Sequence, residues 1–285
     1  MNFFLNRICK TCCMLGILIF TSTHVPAQES ANIVSSWKSP FADSSQYMTS
    51  GIAFALDYNR DKAQSPRLLD GFLLMTIQGS RRYTPTLYTA VQGRFGLGIL
   101  GKDAINQPQN LTVVSFGLGV DICVGVPLRL TPDSSLRLFV GPLIGGFGNI
   151  RLNSALANSQ LSYDIYAGLG GFGRVEYDMK VFGRAYTAYS QLNLPFLGVA
   201  SRPYFSAPFQ NFLAKASSEN IDINEFRLIG IHNFPFVQWD TGVHYVLDNG
   251  NMITLGYTWQ FYQYDYLNPV QAARHTFFIS YDFKL

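Results

Sequence analysis

The feature that most constrains this chain is a regular alternation of apolar with polar or small residues, over segments longer than ordinary strands. In residues 111–128, LTVVSFGLGVDICVGVPL, the even positions are almost all apolar, whereas the odd positions include glycine, serine and aspartate. A period of two indicates a strand with two different faces, not a helix. Ordinary strands average about five or six residues, and a tilted membrane strand needs about nine to eleven. This segment is long enough to cross a membrane.

The same alternation recurs along the chain. It is clear at 161–177, 237–247, 253–261 and 275–285, and weaker at 46–58, 69–79, 86–100, 136–151 and 181–194. Together these segments predict ten strands.

The connections between the strands alternate in length. Short ones fall at 80–85, 129–135, 178–180 and 248–251, and longer polar ones at 59–68, 101–110, 152–160, 195–235 and 264–273. Membrane barrels have short periplasmic turns and longer external loops. The predicted fold is therefore all-β, an antiparallel transmembrane β-barrel of ten strands. Twelve strands are the alternative, if 224–234 and part of 195–215 both cross.

The composition is unusual for a soluble domain of this size. Charged residues make up 14% of the chain, against about 25% in soluble proteins. Aromatic residues make up 15%. After the N-terminal segment there is no run of about 18 apolar residues, so the sequence predicts no membrane helix. A secreted soluble β-sandwich is the alternative, but the segment lengths favour the barrel.

The N-terminus has the layout of a secretory signal peptide. Arg7 and Lys10 precede an apolar stretch at 12–20, and a small-residue site ends at Ala27. These features predict a cleaved signal peptide at 1–27, with a short membrane anchor as the alternative. A periplasmic leader at 28–45 and the barrel at 46–285 would follow.

Cleavage at this site would change the cysteine count and the charge of the mature chain. It removes three of the four cysteines and leaves Cys123, so neither an intramolecular disulfide nor a cysteine-rich metal site is expected. Loss of Arg7 and Lys10 lowers the formal charge from +3 to +1. A formal charge of +1 does not predict binding to nucleic acid.

The face opposite the apolar one carries charged residues of both signs. A buried charge is costly unless it is paired, and narrow barrels are usually filled by side chains. We therefore predict an interior polar network with a structural role, and a constricted channel with a charged lining is the alternative. Its expected members are Arg94, Asp121, Arg137, Arg174, Glu176, Arg184, Asp240 and His244.

No catalytic, cofactor or metal site is predicted. Outer-membrane phospholipases typically place a histidine and a serine two positions apart on a lipid-facing strand, and neither His244 nor His275 has that partner. Asp240 precedes His244 by four positions on one strand face, which is about 13 Å and too far for contact. GLGGFG at 168–173 lies inside strand alternation with no helix after it, so it does not predict a dinucleotide site.

Residues 195–235 are the strongest candidate for a binding segment. This stretch is rich in aromatic and small residues, and it is too long for a neutral connector. Two interpretations remain open. It is either an external ligand-binding loop or a loop that folds inward to plug the barrel.

Two stretches resemble a known family. Residues 69–84, LDGFLLMTIQGSRRYT, and 193–212, NLPFLGVASRPYFSAPFQNF, resemble a small uncharacterised outer-membrane β-barrel family of Gram-negative gut bacteria. The resemblance implies a barrel in the outer membrane and no catalytic residues.

The last strand resembles the terminal signal read by the barrel-assembly machinery. Leu285 stands where a terminal phenylalanine is usual. The alternating apolar places are filled by Phe277, Ile279, Tyr281, Phe283 and Leu285.

These observations together predict a non-enzymatic integral protein of a Gram-negative outer membrane, exported by its signal peptide. Its expected role is a narrow transport conduit or a structural or binding function. An outer-membrane lipid hydrolase or acyltransferase is the runner-up. Expected partners are outer-membrane lipid and the barrel-assembly machinery, with no cofactor and no nucleic acid, and the sequence identifies no small-molecule or surface ligand.

Overall fold

The computed structural model describes residues 44–61, 68–102, 105–106, 111–130, 135–153, 161–202, 226–265 and 269–285. The predicted signal peptide, and the predicted leader up to residue 43, lie outside these ranges. The strands are β1 Ser45–Asp61, β2 Leu69–Tyr83, β3 Tyr88–Lys102, β4 Leu111–Arg129, β5 Leu136–Asn153, β6 Leu161–Val181, β7 Arg184–Ser201, β8 Phe226–Gly230, β9 Phe236–Val246, β10 Met252–Tyr264 and β11 Val270–Lys284.

No helix in the described ranges is both long enough and apolar enough to cross a membrane.

The strands close into an antiparallel barrel. Each strand from β1 to β7 pairs with its neighbour in sequence, β7 pairs with β9, and β9, β10 and β11 continue in order. β11 then pairs with β1 from Tyr47↔Lys284 to Asp61↔Val270. Closure pairs the backbone groups that an open sheet would leave at its edges. The predicted all-β antiparallel barrel is confirmed, and a β-sandwich is not the fold.

β8 does not add a crossing. It pairs with Leu197–Ser201 at the end of β7, while β9 pairs with Tyr186–Asn193 of the same strand. β8 and β9 are therefore one strand interrupted at 231–235. The barrel has ten strands as predicted, and the twelve-strand alternative is wrong because 226–230 occupies a place already in the wall.

The shorter connections lie mainly at one end of the barrel, and the longer ones mainly at the other. We call these the turn end and the loop end; β1 starts and β11 finishes at the turn end. Turn-end connections are 84–87, 130–135, 182–183 and 247–251, and loop-end connections are 62–68, 103–110, 154–160, 202–225 and 265–269. Within the predicted 195–235 loop, 195–201 and 226–230 are part of the wall, and 203–225 lies outside the described residues.

The β6–β7 connection is a two-residue hairpin turn. Phe182 and Gly183 both have positive φ, at 51° and 77°, as a type I′ turn requires. The sequence predicted this turn earlier, at 178–180, because β6 runs further than expected. Phe182 is 99% exposed, so its ring gains little burial in return for an unfavourable backbone conformation.

We expect Phe182→Asn to raise the free energy of unfolding by about 0.5–1 kcal/mol, because asparagine adopts positive φ more readily than phenylalanine. The measurement is equilibrium urea unfolding of protein inserted in lipid vesicles. Gly183→Ala is the opposite change and is expected to lower stability. A lower stability for Phe182→Asn would contradict the turn assignment.

The two faces of the wall differ sharply in polarity. Each of the ten strands of the wall, with β8 and β9 counted as one, exposes a large apolar side chain on the outer face. These side chains are Ile52, Leu74, Phe95, Leu118, Ile144, Leu169, Leu192, Val243, Leu255 and Ile279. Some outward polar groups pair with one another. The Trp239 indole donates to Ser190 Oγ at 2.8 Å, and the Tyr257 hydroxyl lies 2.7 Å from His275 Nδ1. Such pairing is what an exterior without water requires.

Candidate functional site

The lumen is filled by side chains, and charged groups of both signs are prominent among them. Each charged side chain in the set is at most 13% exposed. The arginines are Arg81, Arg94, Arg137, Arg151, Arg174, Arg202 and Arg274, and the carboxylates are Asp57, Asp121, Asp164, Glu176, Asp178, Asp240 and Asp282. With seven groups of each sign, the charges of this set cancel.

Glu176 is the centre of the network toward the turn end. Arg174 Nε donates to its Oε1 at 2.6 Å, and Arg137 Nη2 donates to its Oε2 at 3.1 Å. The Tyr83 hydroxyl also donates to Oε1, at 2.9 Å. Arg137 and Glu176 face each other in the β5–β6 register, so the strand pairing itself brings them together. With three donors on a fully buried carboxylate, Glu176 is a structural anion.

His244 is held between two cations. Arg81 Nη1 lies 2.9 Å from its Nε2 and Arg174 Nη2 lies 3.2 Å away. Guanidinium groups only donate, so Nε2 is inferred to be the acceptor and Nδ1 to carry the proton. Nδ1 then donates to Thr254 Oγ1 at 2.6 Å, and Thr254 donates to Asp282 at 2.5 Å. The ring is thus a neutral lining residue whose lone pair is already occupied.

A second group of hydrogen-bonded polar and charged side chains lies near the middle of the lumen. Asp121 accepts from Arg94, and from Gln238 Nε2 at 3.2 Å. Gln238 also donates to Asp240 at 2.8 Å, and Thr258 donates to the other Asp240 oxygen at 2.5 Å. Asp240 is therefore held by neighbouring strands, and it does not orient His244 as a catalytic carboxylate would.

Asp164 is the centre of the network toward the loop end. It accepts from Arg151 at 2.6 Å, from Arg202 at 2.5 Å and from the Tyr262 hydroxyl at 3.0 Å. Arg202 is the last described residue before the longest connection. This ion pair therefore ties the start of that connection to the lumen.

Arg274 forms a neighbouring cluster and links distant strands. It donates to Asp57 and to Asn149 Oδ1, both at 3.0 Å. Asn149 Nδ2 in turn lies 3.2 Å from the Tyr262 hydroxyl. These bonds join β1, β5, β10 and β11 across the lumen.

Aromatic layers lie on both sides of the middle of the lumen. The turn-side aromatic layer contains Tyr47, Tyr83, Tyr88, Phe139 and Phe172. The loop-side aromatic layer contains Phe147, Tyr166, Phe234, Phe236, Tyr262 and Tyr264.

The break between β8 and β9 supplies part of the loop-side aromatic layer. Phe234 N donates to Gly230 O at 2.9 Å, and Gly230 N donates to Asn233 Oδ1 at 2.8 Å. This tight turn leaves Phe234 5% exposed, with its ring stacked 4.9 Å from that of Tyr166. The interruption therefore adds an aromatic ring to the lumen in place of continuous pairing with β7.

Two small cavities remain between the layers. One has a volume of about 20 Å³ and is lined in part by Arg94, Asp121 and Phe147. The other has a volume of about 60 Å³ and is lined in part by Asp121, Cys123 and Arg174. These volumes accommodate one or a few water molecules. Asp121 lines both cavities, so the Arg94–Asp121 pair lies between them.

Seven of the eight residues expected in the interior network lie in this lumen: Arg94, Asp121, Arg137, Arg174, Glu176, Asp240 and His244. The expectation for Arg184 is wrong. Its side chain is 55% exposed and lies 3.4 Å from that of Asp248, which is 95% exposed. Arg184 directly follows the β6–β7 turn, and the even-numbered residues after it, such as Ser190 and Leu192, face outward.

The expected network did not include eight charged residues of this lumen: Asp57, Arg81, Arg151, Asp164, Asp178, Arg202, Arg274 and Asp282. Asp57 and Arg151 lie in strands with weak alternation. Arg202 lies in the predicted 195–235 loop, and Arg274 lies between the predicted connection at 264–273 and the predicted strand at 275–285. Continuing the inward alternation to the ends of the strands would have found Arg151 and Arg274. Their partners could not be found in this way, because they depend on the register between strands.

The remaining histidines do not create a second site. His275 lies on the outer face against Tyr257, and His232 is exposed in the break. Across the described ranges, no three histidine, cysteine, aspartate or glutamate side chains are grouped to hold a metal ion.

No protein-family model and no curated protein matches the chain. Among solved structures, it is similar to the outer membrane protease OmpT from Escherichia coli, with 8% identity, coverage of 88% of this chain and 100% of that chain, and a TM-score of 0.49. It is also similar to the translocator domain of the autotransporter NalP from Neisseria meningitidis, with 9% identity, coverage of 99% and 98%, and a TM-score of 0.37. It is also similar to Ail, the attachment invasion locus protein of Yersinia pestis, with 11% identity, coverage of 85% of this chain and 99% of that chain, and a TM-score of 0.27. Similarity this remote assigns neither a family nor an activity.

Proposed function

We propose that the protein is an integral outer-membrane β-barrel with a closed lumen, and that it is a structural or binding protein rather than an enzyme or an open conduit. The observation that carries this proposal is the pairing of a continuous apolar exterior with a lumen filled by compensated charges. An apolar exterior fits hydrocarbon, and a filled interior leaves no passage for a solute.

The outer surface supports the membrane position. Aromatic side chains flank the apolar band on both sides, as they do at the two interfaces of membrane barrels. Toward the turn end these are Tyr177, Tyr186, Tyr245, Tyr281 and Phe283, and toward the loop end Tyr58, Tyr163, Trp259 and Phe261. The turn end would face the periplasm and the loop end the cell exterior.

The contacts inside the barrel favour a rigid support over a conduit. Tyr83 on β2 reaches Glu176 on β6, and Arg174 on β6 reaches His244 on β9. Such bonds fix strands that are not neighbours, so widening the lumen would expose several buried charges at once. Binding is then assigned to the loop end, because the two lumen cavities, of about 20 and 60 Å³, hold one or a few water molecules.

The chemistry of the lumen favours a non-enzymatic role. A general base needs a lone pair within reach of a substrate proton. The free nitrogen of His244 is instead shared by Arg81 and Arg174. The runner-up lipid hydrolase therefore lacks an available base at this histidine.

The proposal is tested by membrane fractionation, heat-modifiable migration on a denaturing gel and single-channel recording in planar bilayers. We expect the protein in the outer-membrane fraction, faster migration before boiling than after, and no conductance steps. A soluble protein with identical migration in both samples would overturn the membrane position, and regular conductance steps would overturn the closed lumen. Phospholipid turnover lost in His244→Ala, with heat-modifiable migration retained, would overturn the non-enzymatic role.

A further inference from the structure

The exposed charges at the turn end are mostly basic. The carboxylates Glu176, Asp178 and Asp282 turn into the lumen and are at most 3% exposed. Four basic residues near the turn end are exposed, Arg82, Lys180, Arg184 and Lys284, whereas Arg81, Arg137 and Arg174 turn into the lumen. Among the turn-end residues that the structure describes, Asp248 is the single exposed carboxylate. The described part of the outer surface at this end is therefore cationic even though the lumen set is neutral.

The four basic residues are distributed along the rim from β6 through β7, β9, β10, β11 and β1 to β2. Lys180 and Arg184 flank the β6–β7 turn, and Arg184 approaches Asp248 in the β9–β10 turn. Lys284 lies beside Gly250 of that turn, where an added Cβ would come within 3.0 Å of its Cδ. Arg82 lies two strands beyond β11, opposite Gln46 in the β1–β2 register. We call this set the cationic arc.

A row of tyrosines separates the cationic arc from the apolar band. Tyr186 and Tyr245 pack with ring centroids 5.2 Å apart, and Asn251 donates to the Tyr281 hydroxyl at 2.8 Å. Tyr177 is 49% exposed on the neighbouring strand. Tyrosine rings favour the boundary between acyl chains and headgroups. This position puts the cationic arc at the depth of the lipid phosphates.

We propose that the cationic arc binds the phosphate groups of anionic phospholipids in the leaflet next to the turn end. The inference rests on the proposed membrane position. Guanidinium and ammonium groups both bind phosphate oxygens, and arginine does so through two parallel hydrogen bonds. The contact of Arg184 with Asp248 is long and exposed, so a phosphate oxygen can replace that carboxylate at little cost.

Anionic charge is the property that the arc would select. Phosphatidylglycerol and phosphatidylcholine both carry a phosphate, but only phosphatidylglycerol has a net negative headgroup. Among the described turn-end residues, no exposed acidic side chain other than Asp248 lies near the arc. This bias favours the lipid with net charge, and salt weakens that preference.

The test uses the full mature protein with phosphatidylglycerol and phosphatidylcholine of identical acyl chains. Retained lipids are counted by native mass spectrometry after exchange into detergent. We expect wild type to prefer phosphatidylglycerol, and the combined variant Arg82→Gln, Lys180→Gln, Arg184→Gln, Lys284→Gln to lose at least about tenfold of that preference. The matched control replaces exposed loop-end cations, Arg60→Gln, Lys102→Gln and Arg227→Gln, and is expected to keep it.

Two outcomes overturn the inference. Wild type could retain both lipids equally, or the fourfold turn-end variant could retain the wild-type preference. Heat-modifiable migration after insertion into pure phosphatidylcholine vesicles is measured in parallel for every variant. A protein that inserts without lipid preference refutes the cationic arc alone, whereas a protein that fails to insert refutes the proposed membrane function.

Discussion

Glu176→Gln is expected to lower the free energy of unfolding by about 3–5 kcal/mol, because it leaves the buried Arg174 guanidinium without a carboxylate and leaves Arg137 with Asp178 alone. Arg137 and Arg174 both donate to Glu176, and the substituted amide offers one neutral oxygen in place of the anion. The shape of the side chain is retained, so the loss reports charge rather than packing. The measurement is urea unfolding in vesicles, followed by tryptophan fluorescence.

Asp248→Asn is the matched control for this substitution. It removes the carboxylate of an exposed ion pair with Arg184, and solvent already screens that pair. We expect no measurable change in stability. Equal effects of the two substitutions would show that the buried charges around Glu176 do not stabilise the barrel.

Cys123 is expected to react with a membrane-impermeant methanethiosulfonate roughly a hundredfold more slowly than an exposed cysteine, because labelling then requires a local opening of about 3 kcal/mol. Cys123 is 2% exposed and lines the larger lumen cavity. The exposed reference is Asp248→Cys in a Cys123→Ser background. Unfolded protein gives the full extent of labelling.

Replacing one aromatic residue on each side of Cys123 would show which aromatic layer keeps the labelling reagent away from its thiol. Tyr88 belongs to the turn-side aromatic layer and lines the same cavity. Tyr88→Gly should therefore accelerate labelling at least about tenfold. Phe147→Ala, in the loop-side aromatic layer beyond the Arg94–Asp121 pair, should leave the labelling slow. Rapid labelling of wild type would contradict a closed lumen.

The outward faces of the strands could be predicted from the sequence because hydrocarbon demands an uninterrupted apolar face. The alternation at 112–128 identifies the outward residues of β4, and that of 253–261 identifies those of β10. Strand ends were harder to predict. Beyond the hydrocarbon region a strand need not alternate, so β6 continues to Val181, past the predicted turn at 178–180.

The lumen network was predictable only in part. The alternation of residues along β6 places Glu176 on the inward face. It does not reveal that Tyr83, 93 residues earlier in the chain, donates a hydrogen bond to Glu176. Such a contact depends on the number of strands and the register around the whole barrel. The turn of 231–235 is likewise suggested by Pro235 and Asn233, yet the burial of Phe234 depends on the Tyr166 ring across the lumen.

Closure of the barrel by β1 and β11 has a consequence for folding. The bonds Thr49–Asp282 and Arg274–Asp57 join residues separated by 233 and 217 positions. Contacts of such long sequence separation form slowly, because the intervening chain loses much entropy first. Until β11 docks, β1 and β10 present open edges that can pair with another copy. A chain without its last strand should therefore aggregate rather than form a smaller barrel.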